Sequence, residues 1–141
     1  MTQAVLFDPG REGFLAGEID WDTAVIKCVL GRGYTFSASH KFVSDLTSHT
    51  AVATSGALTG KTITGGVADA ADFTYSAVTA GAACPYLIIY QASAVTGGSD
   101  VAASAQRLIA YIDNASGLPA TPTGADIAIV FDNGANKIFK L

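Results

Sequence analysis

Residues 86–90 read Tyr86-Leu87-Ile88-Ile89-Tyr90, a nearly unbroken apolar run. A strand with one wet face alternates apolar and polar side chains. A run with no strongly polar member suits a central strand buried on both faces. Downstream, residues 93–106 form a loop of small residues around Gly97-Gly98, and residues 107–113 read as a second strand. Asn114-Ala115-Ser116-Gly117 breaks that strand, and Pro119 and Pro122 keep the next stretch irregular. Residues 126–132 give a further strand. Asn133-Gly134 then turns into residues 137–141, an expected edge strand guarded by Lys137 and Lys140.

Upstream, residues 72–78 alternate, with Phe73, Tyr75 and Ala77 on one side. Gly65-Gly66 separates two β-prone runs, 61–64 and 67–69; two glycines accept the positive φ of a tight hairpin. Residues 50–55 read as a short strand, and residues 41–48 as a helical turn anchored by Phe42, Val43 and Leu46. Tyr34-Thr35-Phe36 is expected to start another extended piece. In residues 24–30 the period is two, with Ala24, Ile26, Cys28 and Leu30 on one face and Gly31-Arg32-Gly33 as the stop. Asp8-Pro9-Gly10 opens a short helix, with Asp8 as cap, Pro9 at the first helical position and Gly17 at the end. Phe14 and Leu15 are expected to pack it onto the body. About eight short strands with regular turn signals predict an all-β fold, a β-sandwich or jelly-roll-like barrel with a short N-terminal helix.

The 141 residues suit one domain. Residues 1–22 form an acidic segment carrying the helix, and residues 23–141 the β-sandwich. The segment holds Asp8, Glu12, Glu18, Asp20 and Asp22 against Arg11, which accounts for the net charge of −4; the remainder is neutral. No basic patch is present to neutralise phosphates, which argues against nucleic acid as a partner. Only 14% of residues are charged, against a typical ~25%, so part of the surface is expected to be covered by partners. No run approaches the ~18 apolar residues of a membrane span. No secretory leader is visible at the N-terminus. Assembly in a reducing cytoplasm is the resulting expectation, with Cys28 and Cys84 as buried free thiols.

Chemistry-bearing motifs are sparse. Gly60-Lys61-Thr62 echoes the end of a phosphate-binding loop, but position 55 is serine where the motif needs glycine. His40 and His49 lack further ligands at metal spacing and read as solvent-exposed loop residues. Asp20 and Asp22 flank Trp21 and read as turn and cap chemistry around a packing tryptophan. Asn114-Ala115-Ser116 matches a glycosylation sequon, but without secretion it is a turn. Tyr34, Tyr86 and Tyr111 suit either a sugar-stacking face or, as such residues more often do, a packed sandwich core or a subunit interface. No cofactor, metal site or catalytic set is expected.

Three stretches together resemble a group of small structural proteins of tailed-bacteriophage virions. They are residues 10–21 (Gly-Arg-Glu-Gly-Phe-Leu-Ala-Gly-Glu-Ile-Asp-Trp); Val52-Ala53-Thr54-Ser55 with Leu58 and Lys61-Thr62; and the C-terminal Leu108-Ile109-Ala110-Tyr111-Ile112-Asp113, Ser116-Gly117-Leu118-Pro119 and residues 132–141. The chain departs from that group at the short Gly31-Arg32-Gly33 turn and at Cys84-Pro85, where the group has a more polar approach to the strand. The resemblance implies a non-enzymatic virion component such as a head decoration protein bound to the major capsid protein, assembled in the host bacterial cytoplasm. It carries no catalytic residues.

A decoration protein needs a rigid β body, a flat low-charge docking face, an extended terminus and symmetry matched to the lattice it binds, so a homo-oligomer, with a trimer as the working guess, is expected. The expected docking residues are Asp8, Arg11, Glu12, Phe14, Glu18, Asp20 and Trp21, on an arm whose deletion through residue 17 leaves the body folded. A neck, collar, tail or fibre-attachment component is the alternative within the virion. A carbohydrate-binding adhesion module is the alternative outside that class; it needs Tyr34, Trp21 or Tyr111 in a solvent-facing row.

Overall fold

The computed structural model describes residues 4–115 and 117–141; of the turn read at 114–117, Ser116 lies outside the described residues. In chain order the elements are β1 (Val5–Leu6), α1 (Asp8–Ala16), β2 (Val25–Arg32), β3 (Thr50–Thr54), β4 (Thr62–Thr64), β5 (Val67–Asp69), β6 (Phe73–Tyr75), β7 (Tyr86–Ser93), β8 (Arg107–Ile112), β9 (Ile127–Ile129) and β10 (Phe139–Lys140). Single 3-10 turns lie at Val43–Asp45 and Ala103–Ala105.

The strand 86–93 is central, as its apolar run requires. β7 sits between β8 and β2 in an antiparallel sheet of order β1-β8-β7-β2-β3, and all its residues are buried. Two smaller antiparallel sheets, β10-β5-β4 and β6-β9, cover one face of this sheet, giving an all-β, sandwich-like fold. The period of two in β2 sorts its side chains. Ala24, Ile26, Cys28 and Leu30 join Leu87, Ile89, Ile109, Tyr75 and Phe139 in the core between the sheets. Val25 and Val29 face the other way, with Tyr86, Ile88 and Leu108.

Among the described residues no sheet lies over that second face. Its cover is Phe7 together with the loop 33–49, which contributes Tyr34 and Leu46 and, partly buried, Phe36 and Val43. Strand alternation could not reveal a cover made of loop. For the same reason Tyr34-Thr35-Phe36 is irregular chain and not a strand: its rings are spent capping the sheet.

The Gly65-Gly66 hairpin joins β4 to β5 with φ of 61° and 78°. Among the described residues β10 is an edge strand of the smaller sheet, paired with β5; it spans only Phe139–Lys140, so of the two expected guards Lys140 lies in the strand and Lys137 precedes it at φ 46°. Three local expectations are corrected. Asp8 is the first residue of α1, while Phe7 occupies the cap position with its ring fully buried. Leu15 points to solvent, 87% exposed, so Phe14 alone of that pair packs inward. Ala77 is exposed at φ 45° and lies beyond the three-residue β6.

Candidate functional site

From Ala4 onward the acidic segment is not a free arm. β1 pairs with β8, and α1 lies on β8 with its backbone in close approach. A side chain at Gly10 would place its first carbon 2.8 Å from the Leu108 carbonyl oxygen. One at Gly13 would meet the Ile19 side chain at 2.6 Å and Arg107 Nη2 at 2.8 Å. Only glycine lets the helix sit this low. The expectation that residues 1–17 can be removed from an intact body therefore gives way to a segment built into the sheet.

Two buried polar side chains fasten it. Arg107, at the start of β8, donates to the Glu18 carboxylate and, at 2.5 Å, to the Pro9 carbonyl, with its guanidinium 5.8 Å from the Phe42 ring centre. Gln91, on β7, donates from Nε2 to the Glu18 carbonyl at 3.0 Å and accepts the Asp20 N–H at 3.0 Å. The Asp20 carboxylate then closes its own turn. It accepts the Asp22 N–H at 3.0 Å, the Thr23 N–H at 3.1 Å and the Thr23 hydroxyl at 2.6 Å. The Thr23 hydroxyl is the main cause that holds this carboxyl below its usual range. Trp21 is buried. Its Nε1 donates to the Asp69 carbonyl at 3.1 Å, and its ring meets Phe139 edge-on at 5.3 Å.

These contacts leave a groove between the end of α1, the 17–21 turn, the β4–β5 hairpin and β10. It is a cavity of about 270 Å³ lined mainly by Phe14, Ile19, Trp21, Ile63, Val67 and Phe139, with Asp20 as the only charged side chain among the described residues that line it. Ile63 and Leu141, at 58% and 56% exposure, stand at its mouth. Of the residues expected to dock a partner, Phe14, Asp20 and Trp21 come together here, with Trp21 shielded in the wall. Glu18 is committed to Arg107, while Asp8, Arg11 and Glu12 are exposed on α1 outside the groove. Sequence reading missed Ile63, Val67, Phe139 and Leu141. The one available signal was Ile63, a large apolar residue between two threonines in a hairpin strand.

A second trough, of about 410 Å³, runs beside β3 and residues 71–79 and has no charged residue in its lining. Its only titratable side chain, Tyr75, donates its hydroxyl to the Cys28 carbonyl at 2.7 Å. Cys28 and Cys84 are free and buried, and burial pushes the Cys28 thiol up to about 12. Among the described residues no group of three His, Cys, Asp or Glu side chains could hold a metal, and no helix is long and apolar enough to cross a membrane.

The aromatics do not form a solvent-facing row. Trp21 lies in one core and Tyr34 in the other, both buried, with Tyr111 half-buried beside Tyr34. The histidines are half-buried, not solvent-exposed: His40 Nδ1 bonds the Tyr34 hydroxyl and His49 Nδ1 the Tyr86 hydroxyl, each at 2.8 Å. The residues had suggested free loop histidines because their tyrosine partners lie up to 37 positions away. Set against known proteins, the chain matches no family model and no curated sequence.

Proposed function

We propose that this chain is a non-enzymatic structural protein of a tailed-phage particle, a capsid decoration protein that docks through the groove beside α1. The observation that carries the docking face is the exposed apolar pair Ile63 and Leu141 at the mouth of a groove held rigid from behind by Gln91 and Arg107. A fixed concave apolar site with a polar edge suits a partner's apolar anchor side chain, because no loop ordering is charged against binding. Asp20 at the edge, with Asp22 next in the chain, favours a partner segment that is basic beside that anchor. The phage assignment itself draws on the sequence resemblance in residues 10–21, in 52–55 with Leu58 and Lys61-Thr62, and in 108–113, 116–119 and 132–141.

Quantitative mass spectrometry of gradient-purified particles, scaled to the major capsid protein, tests this reading. A copy number comparable to the capsid protein is the expected result. A few copies per particle would move the protein to the neck, collar or tail. Absence from the particle would overturn the structural role.

A further inference from the structure

We propose that the loop 33–49 is an acid-released latch: protonation of the His49 ring breaks a hydrogen-bond relay running from the Tyr34 N–H through the Tyr86 hydroxyl to His49 Nδ1, and frees the loop from the sheet face it covers. The direction of the relay follows from donor and acceptor counting. The Tyr86 oxygen accepts the Tyr34 N–H at 3.1 Å, so its own proton needs an acceptor. Tyr86 is fully buried, and among the described residues the one acceptor in place is His49 Nδ1 at 2.8 Å. His49 is therefore neutral, with its proton on Nε2. A parallel relay runs from the Ser37 N–H, at 3.1 Å, through the Tyr34 hydroxyl to His40 Nδ1, at 2.8 Å.

A proton added to His49 Nδ1 turns that atom into a donor. The Tyr86 oxygen would then face two donors while its own hydrogen had no acceptor among the described residues. A stranded buried polar group is costly, and the relay gives way before the strand does, since Tyr86 belongs to β7. The His49 ring also packs against Gly31 of β2, where a side chain would overlap it.

The titratable groups around the relay are Tyr86 and Cys84 at β7, Tyr111 with Asp113 at β8, and Tyr34, His40 and Asp45 from the loop. Asp45 and Asp113 are the carboxylates among them. Asp45 is occupied by the Lys41 and Phe42 N–H groups at 2.9 Å each and lies beside His40. Asp113 acts on Tyr111. Burial alone moves His49, lowering its pKa from the ordinary 6.5. Its neutral form is thus the folded form. The latch is fully closed above the unfolded value and loosens as pH falls below it, through the lower folded value.

The test is imidazole ¹⁵N NMR combined with amide hydrogen exchange on the full chain, between about pH 7.5 and 5. The expected result is an Nε2–H tautomer for His49 at the upper pH. As His49 titrates, exchange protection at the Tyr34 amide should fall about tenfold or more, while the Ile88 and Ile109 amides stay protected. Tyr86→Phe should leave the Tyr34 amide unprotected at both ends of the range. An Nδ1–H tautomer at neutral pH would overturn the latch. So would Tyr34 protection that is unchanged through the titration, or a loss shared equally by the central strands. The tautomer measurement needs no variant, so it stands even if Tyr86→Phe folds poorly.

Discussion

The side chain of Gln91 holds the turn that carries Asp20: its Oε1 accepts the Asp20 N–H at 3.0 Å, across 71 positions of sequence. Because its Nε2 also bonds the Glu18 carbonyl, one buried amide fixes both sides of the turn and so sets the wall of the groove. Gln91→Leu keeps similar bulk and strands both backbone groups. A loss of about 1–3 kcal/mol is expected in urea denaturation, the usual cost of an unsatisfied polar group. An unchanged midpoint would show that water replaces the amide.

Removing residues 1–17 should compromise folding. The deletion takes away β1, the Phe7 cover and the helix seated on β8. Gly10→Val probes the same seat with a single change, since its first side-chain carbon already collides with the Leu108 carbonyl. Circular dichroism of the truncated chain showing a native-like cooperative melt would argue that the segment is dispensable to the body.

Ile88→Ala and Ile109→Ala should each cost about 2–5 kcal/mol, because both side chains are fully buried in a packed core. The two residues face opposite sides of the sheet, so equal effects would mean that the loop-covered face is packed as well as the sheet-covered one. A much smaller loss for Ile88 would mark that face as the looser.

Stability should fall at alkaline pH. Burial pushes the Tyr86 hydroxyl up to about 12, and burial does the same for Tyr90. Their ordinary value is about 10. A pKa raised by folding means that the folded state keeps the proton which the unfolded state gives up. The stabilisation is complete below about pH 10 and is lost as pH rises toward about 12. Thermal melts across that interval, paired with Tyr86→Phe, check it. The variant should show a shallower alkaline decline.

Ile63→Asp should leave the melting midpoint within about 0.5 kcal/mol of the parent, since the residue is exposed on an edge strand. It should also abolish binding to particles from which the protein has been stripped. Undiminished rebinding would remove the groove from the docking surface without bearing on whether the protein is in the particle.

Much of the large sheet was readable because its strands obey simple patterns: an apolar run for β7, a period of two for β2, and paired glycines for the β4–β5 hairpin. What escaped was whatever depends on distant partners. Nothing local to Gln91 or Arg107 says that a strand residue will hold the N-terminal turn, and nothing near His49 names Tyr86. The groove is assembled from three separate parts of the chain, and only its Phe14-to-Trp21 wall stood out as a segment. The loop cover was missed because irregular chain has no period. Its rings were legible as aromatics but not as a lid.

The strand order β1-β8-β7-β2-β3 has a kinetic consequence. β2 finds its central neighbour only at residues 86–93, and β1 is paired only by β8, which ends at Ile112. During synthesis, then, β2 can meet β3 early, but its β7-facing edge and the whole of β1 wait until about two thirds or more of the chain has emerged, and closure over such separations is slow. The interior thiol of Cys28 is reachable during that interval and sealed after it. Its rate of alkylation in a refolding experiment would therefore time the closing of the sheet.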